Sequence, residues 1–278
     1  MLNNEIVKKI EDFVYSKPRS IQEIAGHLNK NWRTADRYVE EIISEYGTLG
    51  KRVFREGTRG ALKIVYWASI EKASHSVFQE ELENIIMNGR GRSDFMAFDI
   101  FQHVSDSKKE VSKAFAENEV KVGKLEVFAK LLRSAKKQIL FFSGNLSFVN
   151  FKDKGIDIFN EIEKLIARGI SIKIICRVDF VGNENIERVL ALNYKYGKEL
   201  IEIRHREQPL RITVVDGEIV NMKEVRIPDS RRELEKKLII FYTIKDKDWG
   251  EWMSRVFWKM FSGAIGSKKR LDELGKVK

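Results

Sequence analysis

Arg33 and Arg37 stand four residues apart, which sets both on one face if the chain around them is helical. Lys30, Asn31, Trp32 and Thr34 lie beside them. A guanidinium fork can grip both acceptors on a guanine edge, and the free amides at a helix start can hold a phosphate. These residue types at this spacing point to contact with double-stranded DNA. Trp32 is read either as a core residue or as a phosphate neighbour. Little else in the chain points to bond-making chemistry. His27, His75, His103 and His205 are scattered, without metal-ligand spacing. Cys176 is the one cysteine, so no intrachain disulfide can form, and it sits in an apolar, strand-like run. Gly144-Asn145 and Gly182-Asn183 lack the further glycines of a phosphate loop. No enzyme activity, catalytic residue, metal or cofactor is expected.

The elements that must position the arginines are legible around them. Ile6, Ile10, Phe13 and Val14 have helical spacing and Pro18 ends that helix. Ser20 with Glu23 three residues on forms a capping-box pattern for a second helix through Leu28. After the Asn29-Lys30 turn, Asn31 caps a third helix in which Ala35, Val39 and Ile42 point inward. Trp32, Arg33, Thr34, Asp36 and Arg37 are left outside, as in a recognition helix. Two strand-like runs, Lys51–Arg55 and Leu62–Trp67, flank a Gly-bounded turn carrying Arg59. They read as a hairpin wing, with Arg55 and Arg59 added to the DNA contacts. Across residues 1–68 the pattern resembles the winged helix-turn-helix of archaeal and bacterial regulators.

Ile70 to Met87 has an apolar helical stripe, read as a dimer contact or as packing on the winged domain. Asn88 to Ser93 is rich in Gly and Arg and reads as a linker. Asp106 to Glu119 is polar and receives no role. Residues 69–119 together form the expected connector.

From residue 120 strands and helices alternate, giving an α/β (α+β overall) layer structure with a mixed sheet over 120–265 and a basic tail over 266–278. Pro209 to Gly217 resembles the phospholipase D signature, His-x-Lys-x-x-x-x-Asp followed by Gly, with Pro209 in the His place, Arg211 in the Lys place and Asp216 matching. Ala167-Arg168-Gly169 to Lys173 resembles another segment of that superfamily. Proline cannot attack a phosphodiester, so the resemblance implies a degenerate domain. A winged helix followed by such a domain, and a final aromatic helix with Trp249, Trp252, Phe257, Trp258 and Phe261, resembles the archaeal TrmB-like regulators. Those aromatics are read as core. The chain ends without room for the sugar-binding domain of the sugar-responsive members, so a sugar effector is not expected. The resemblance implies pairing of the degenerate domains, as a homodimer or dimer of dimers. It also implies a former phosphate cleft in which Arg204, Arg206 and Arg211 are candidate anion-binding residues. That patch would hold a small anionic effector or a second stretch of DNA. Arg211 paired with Asp216 or Glu224 is the structural alternative.

The 278 residues suffice for two domains, and 43% hydrophobic content argues against global disorder. No apolar run suggests a membrane span and no leader pattern opens the chain, so a cytoplasmic, nucleoid-associated protein is expected. The net charge of +10 divides into +3 over 1–68, −4 over 69–120 and +11 over 121–278. The last figure suits an architectural chromatin protein that coats DNA, the alternative to a transcriptional regulator. A phosphodiesterase or nuclease is the least favoured reading.

Overall fold

A computed structural model describes residues 2–15, 17–45, 48–55, 61–67, 75–116, 125–226 and 237–275. Helix α1 (Asn4–Tyr15) buries Val7, Ile10 and Val14. A two-residue strand β1 (Arg19–Ser20) leads into α2 (Ile21–Leu28), whose capping box forms as read: the Glu23 amide donates to Ser20 Oγ at 3.1 Å and the Ser20 amide to Glu23 Oε2 at 2.7 Å. Asn29 ends α2 in the left-handed region, at φ 53°. Helix α3 (Trp32–Glu45) then packs Ala35, Val39 and Ile42 against α1 and α2, all fully buried. The wing strands β2 (Leu49–Arg55) and β3 (Ala61–Trp67) pair antiparallel, and β1 adds to β3, giving the order β1-β3-β2.

Helix α4 (His75–Asn88) follows. The expected linker at 88–93 is instead a closed turn, because the Asp94 carboxylate accepts from the amides of Arg90 (2.9 Å) and Gly91 (2.8 Å). Helix α5 (Ala97–Phe101) buries four of its five residues. The segment given no role forms β4 (Lys109–Ala116), an edge strand of the large sheet.

The remaining elements are α6 (Leu125–Arg133), β5 (Gln138–Phe142), a small hairpin of β6 (Lys152–Asp153) and β7 (Ile156–Asp157), α7 (Ile158–Ala167), β8 (Ser171–Cys176), α8 (Asn183–Tyr196), β9 (Ile201–His205), β10 (Ile212–Val215), β11 (Ile219–Arg226), β12 (Lys237–Lys245), α9 (Lys247–Ser262), β13 (Ile265–Gly266) and α10 (Ser267–Gly275). Eight strands order as β13-β9-β8-β5-β10-β11-β12-β4. β5, β8 and β9 run parallel and the other pairs antiparallel, so the sheet is mixed as expected. Part of the expected basic tail is ordered as β13 and α10.

Period-two alternation divides the core. Ile139, Phe141, Ile172, Ile174, Ile201 and Ile203 face α6, α7 and α8. Leu140, Phe142, Ile212, Val214, Met222, Ile240 and Tyr242 face α9. Trp249, Trp252, Phe257 and Phe261 are buried there as read, but Trp258 stays 41% exposed. This second core also takes in Phe54, Leu62 and Ile64 of the wing. Tyr66 meets Phe98 of α5 at 5.3 Å, and Phe98 and Phe101 lie on Tyr242 at 5.9 and 4.8 Å. The two expected domains thus share apolar packing, at roughly 1.5–3 kcal/mol for each fully buried large side chain.

Candidate nucleic-acid interface

The start of α3 is built to present side chains outward. Asn31 Oδ1 accepts from the Thr34 amide at 2.9 Å, which fixes the first turn. Lys30, Asn31, Arg33 and Arg37 are exposed together, and Thr34 is half-buried beside them. Trp32 takes the core reading: it packs on the winged domain, with the Arg33 guanidinium 5.5 Å from its ring centroid. The Arg37 guanidinium lies 5.3 Å from the Tyr38 ring. Both arginines thus lie beside an aromatic ring of the same helix while remaining exposed. Arg55 ends β2, but its side chain lies outside the described residues, as does all of Arg59.

A second set of charges lies between helix and wing. Trp32, Asp36 and Glu40 recur every four residues, and the wing register sets Lys51 opposite Val65 and Val53 opposite Lys63. Lys51 and Lys63 therefore share the wing face turned to α3. Lys51 Nζ lies 3.1 Å from Asp36 Oδ1 and also binds Glu40, while Lys63 Nζ binds Asp36 Oδ2. Burial by itself would raise the Asp36 carboxyl, but hydrogen bonds from Lys63 and Lys51 outweigh it and hold the group below the usual range.

The segment around Pro209 and Arg211 is arranged differently from the expected anion patch. Pro209 is buried, and Gly89, in the turn after α4, lies so close that a Cβ there would meet its ring at 2.8 Å. Gln208 is buried beside it, donating to Ser143 O (2.9 Å) and accepting from the Leu210 amide (2.6 Å). The three candidate anion-binding arginines turn to separate backbone carbonyls. Arg204 binds Phe261 O at 3.0 Å and Glu202 at 2.8 Å, stacked 4.4 Å from the Phe261 ring. Arg206 donates to Met87 O at 3.2 Å. Arg211 donates to its neighbour Leu210 O at 2.6 Å and lies against Gly144, where a Cβ would come within 3.0 Å of Nη2. Arg204 and Arg206 thus tie β9 to α9 and α4 rather than forming an open patch. Asp216, the matching motif residue, accepts three amides, from Lys136, Lys137 and Gln138, at 2.7–2.9 Å. Its work is to pin the β10–β11 turn to the start of β5. Glu224 is engaged by Arg226 and the Phe98 amide. His205 Nδ1 accepts from the Val178 amide at 3.0 Å, and burial, with Arg270 nearby, lowers its pKa. Burial pushes the Cys176 thiol up to about 12. Among the described residues no cluster of His, Cys, Asp and Glu could hold a metal, and no helix is long and apolar enough to cross a membrane.

No protein-family model matches the sequence, and a search of the curated proteins returns no match. Similar solved structures exist. TrmBL2, described as an archaeal chromatin protein with a novel mode of DNA binding, is 14% identical with a TM-score of 0.40, over 95% of this chain and 94% of that one. Nuc of Salmonella typhimurium, a phospholipase D family member, is 16% identical with a TM-score of 0.37, over 57% of this chain and 98% of that one. NucT of Helicobacter pylori is 14% identical with a TM-score of 0.38, over 57% and 99%. Likeness at this level does not say what the chain does; the geometry of α3 and the wing bears on that.

Lys51 and Lys63, bound by Asp36 between α3 and the wing, are charges that sequence reasoning did not single out. Their signal was period-two alternation in β2 and β3, which puts both on the face shared with Val65 and Trp67 rather than with Phe54 and Ile64.

Proposed function

We propose that this chain is a non-catalytic protein that binds double-stranded DNA through α3, as a transcriptional regulator of TrmB-like type acting as a homodimer or dimer of dimers. One observation carries the reading: a capped helix, backed by an antiparallel wing, exposes Lys30, Asn31, Arg33 and Arg37 together at its N-terminal end. The test is a fluorescence-anisotropy titration of duplex DNA with the wild type and with Arg33→Ala, Arg37→Ala. Each arginine that grips a base in bidentate fashion contributes about 1–3 kcal/mol, so the double variant should bind its best site at least tenfold more weakly. Undiminished affinity removes α3 from the interface. Light scattering that finds a monomer with and without DNA ends the proposed pairing.

The charge of +11 over residues 121–278 favours a second reading, an architectural protein that coats DNA with little regard to sequence. A genome-wide binding profile separates the two: sharp sites for the regulator, broad coverage for the coat.

A further inference from the structure

We propose that Asp36 is an internal stand-in for a DNA phosphate, holding Lys51 and Lys63 of the wing against α3 and so withholding both cations from the DNA backbone. The inference rests on α3 being the DNA-reading helix. It assigns to Asp36 a role in specificity: with the wing cations engaged internally, discrimination falls to Arg33 and Arg37.

The geometry is that of a bound anion. Lys51 sits on one carboxylate oxygen and Lys63 on the other, from two neighbouring strands. A phosphate entering between helix and wing would offer its two non-bridging oxygens to the same pair of ammonium groups. The site is partly withdrawn from water, with the side chains of Lys51, Asp36 and Lys63 only 11%, 17% and 25% exposed. Glu40 holds Lys51 from the next turn, and the Trp32 ring lies 6.0 Å from Lys63 Nζ. The α3 strip facing the wing therefore carries two carboxylates, whereas the outward strip carries Arg33 and Arg37. Non-specific affinity grows with the number of phosphates neutralised, and each contact adds about 0.9 to the slope of log affinity against log salt. A phosphate gains Lys51 or Lys63 only by displacing a carboxylate already in place, so these lysines add little to binding at random sequence. The lowered pKa of Asp36 agrees with a carboxylate that stays charged throughout.

The experiment is anisotropy on a random-sequence duplex at several salt concentrations. It compares wild type, Asp36→Asn, Lys63→Met and the double variant Asp36→Asn, Lys63→Met, each checked by circular dichroism. Asparagine keeps the shape and removes the charge. Asp36→Asn should bind random duplex several-fold more tightly at low salt, with the slope steeper by about one to two. Lys63→Met should leave the wild-type slope unchanged but remove about one from the slope of the Asp36→Asn background. A folded Asp36→Asn variant with the wild-type slope overturns the inference. So does a Lys63→Met change that flattens the wild-type slope, and that arm decides alone if Asp36→Asn does not fold. A wild type that binds no duplex DNA at any salt ends the DNA reading itself. A wild type that binds, with Asp36→Asn unchanged, ends only the role of Asp36.

Discussion

Replacing Asp99 with Asn should abolish much of the pH dependence of stability between pH 5 and 8. Asp99 sits in α5 at the seam between the wing and the large sheet. Part of the residue reaches the surface, but Oδ1 is shut off from solvent and has no hydrogen-bond partner among the described residues. Oδ2 accepts the Met96 amide at 3.2 Å. Glu224 and Arg226 approach from β11, Tyr242 from β12, and the Lys17 charge from the segment before β1. Burial, opposed by the Met96 amide and aided by the Glu224 charge, pushes the Asp99 carboxyl up to about 7 from its ordinary 3.8. The folded state therefore holds this proton more tightly than the unfolded chain. The stabilisation is complete below the ordinary value and is lost as pH rises through about 7. At about 1.4 kcal/mol per pH unit the full loss is about 4 kcal/mol, of which about 2–3 kcal/mol falls between pH 5 and 8. Asparagine imitates the protonated group, so urea melts of Asp99→Asn should gain that amount relative to wild type over this range. Stability curves for the two proteins that run parallel from pH 5 to 8 refute the reasoning.

Three further outcomes are expected. Glu161, bound by Arg133 Nε and Nη2 at 2.6 and 2.8 Å and by Lys164, is held down at about 2, chiefly by the Arg133 hydrogen bonds. Its contribution is present above the ordinary 4.5 and lost as pH falls through about 2, so Glu161→Gln should cost about 2 kcal/mol at pH 7 and much less in acid melts. Gly250→Ala should lower thermal stability by about 3 kcal/mol, because a Cβ there would lie 2.1 Å from Gly217 O, where α9 crosses the β10–β11 turn. Cys176 should resist a thiol reagent at pH 8 in the folded protein and react at once in denaturant, since it is buried and its thiol is pushed up to about 12.

Local signals survived into the structure. The Ser20–Glu23 box, the Asn31 cap and the inward stripe of α3 involve residues within a few positions of one another, where pattern and geometry are the same thing. β4 was hidden because Lys-Glu-Val-Ser-Lys-Ala-Phe-Ala offers few large apolar residues to alternate; an edge strand needs fewer of them, and lysines suit it. The turn at 88–93 looked like a linker because the residue that closes it, Asp94, follows the glycines. The ion pairs of Asp36 join residues 15 and 27 positions apart, a distance no local pattern spans. The wing did carry a sign of its second partner. A hairpin with one solvent face should alternate, yet β3 is apolar on both, with Leu62, Ile64 and Tyr66 on one side and Val65 and Trp67 on the other. Arg204, Arg206 and Arg211 each give one donor to a backbone carbonyl, a partner that charge in the sequence does not reveal.

That two-sided wing bears on how the chain is made. During synthesis from the N-terminus, the first helices and the hairpin emerge together and can close one side of the hairpin at once. The other side, with Phe54, Leu62, Ile64 and Tyr66, must wait for Phe98 and Phe101 of α5. Helix α5 in turn rests on Tyr242 of β12, made more than a hundred residues later. For that interval a nascent chain presents a sticky apolar strip while still tethered to the ribosome, and a stalled or truncated product keeps it uncovered. The second side of the wing is thus covered by a core that includes strands made long after it.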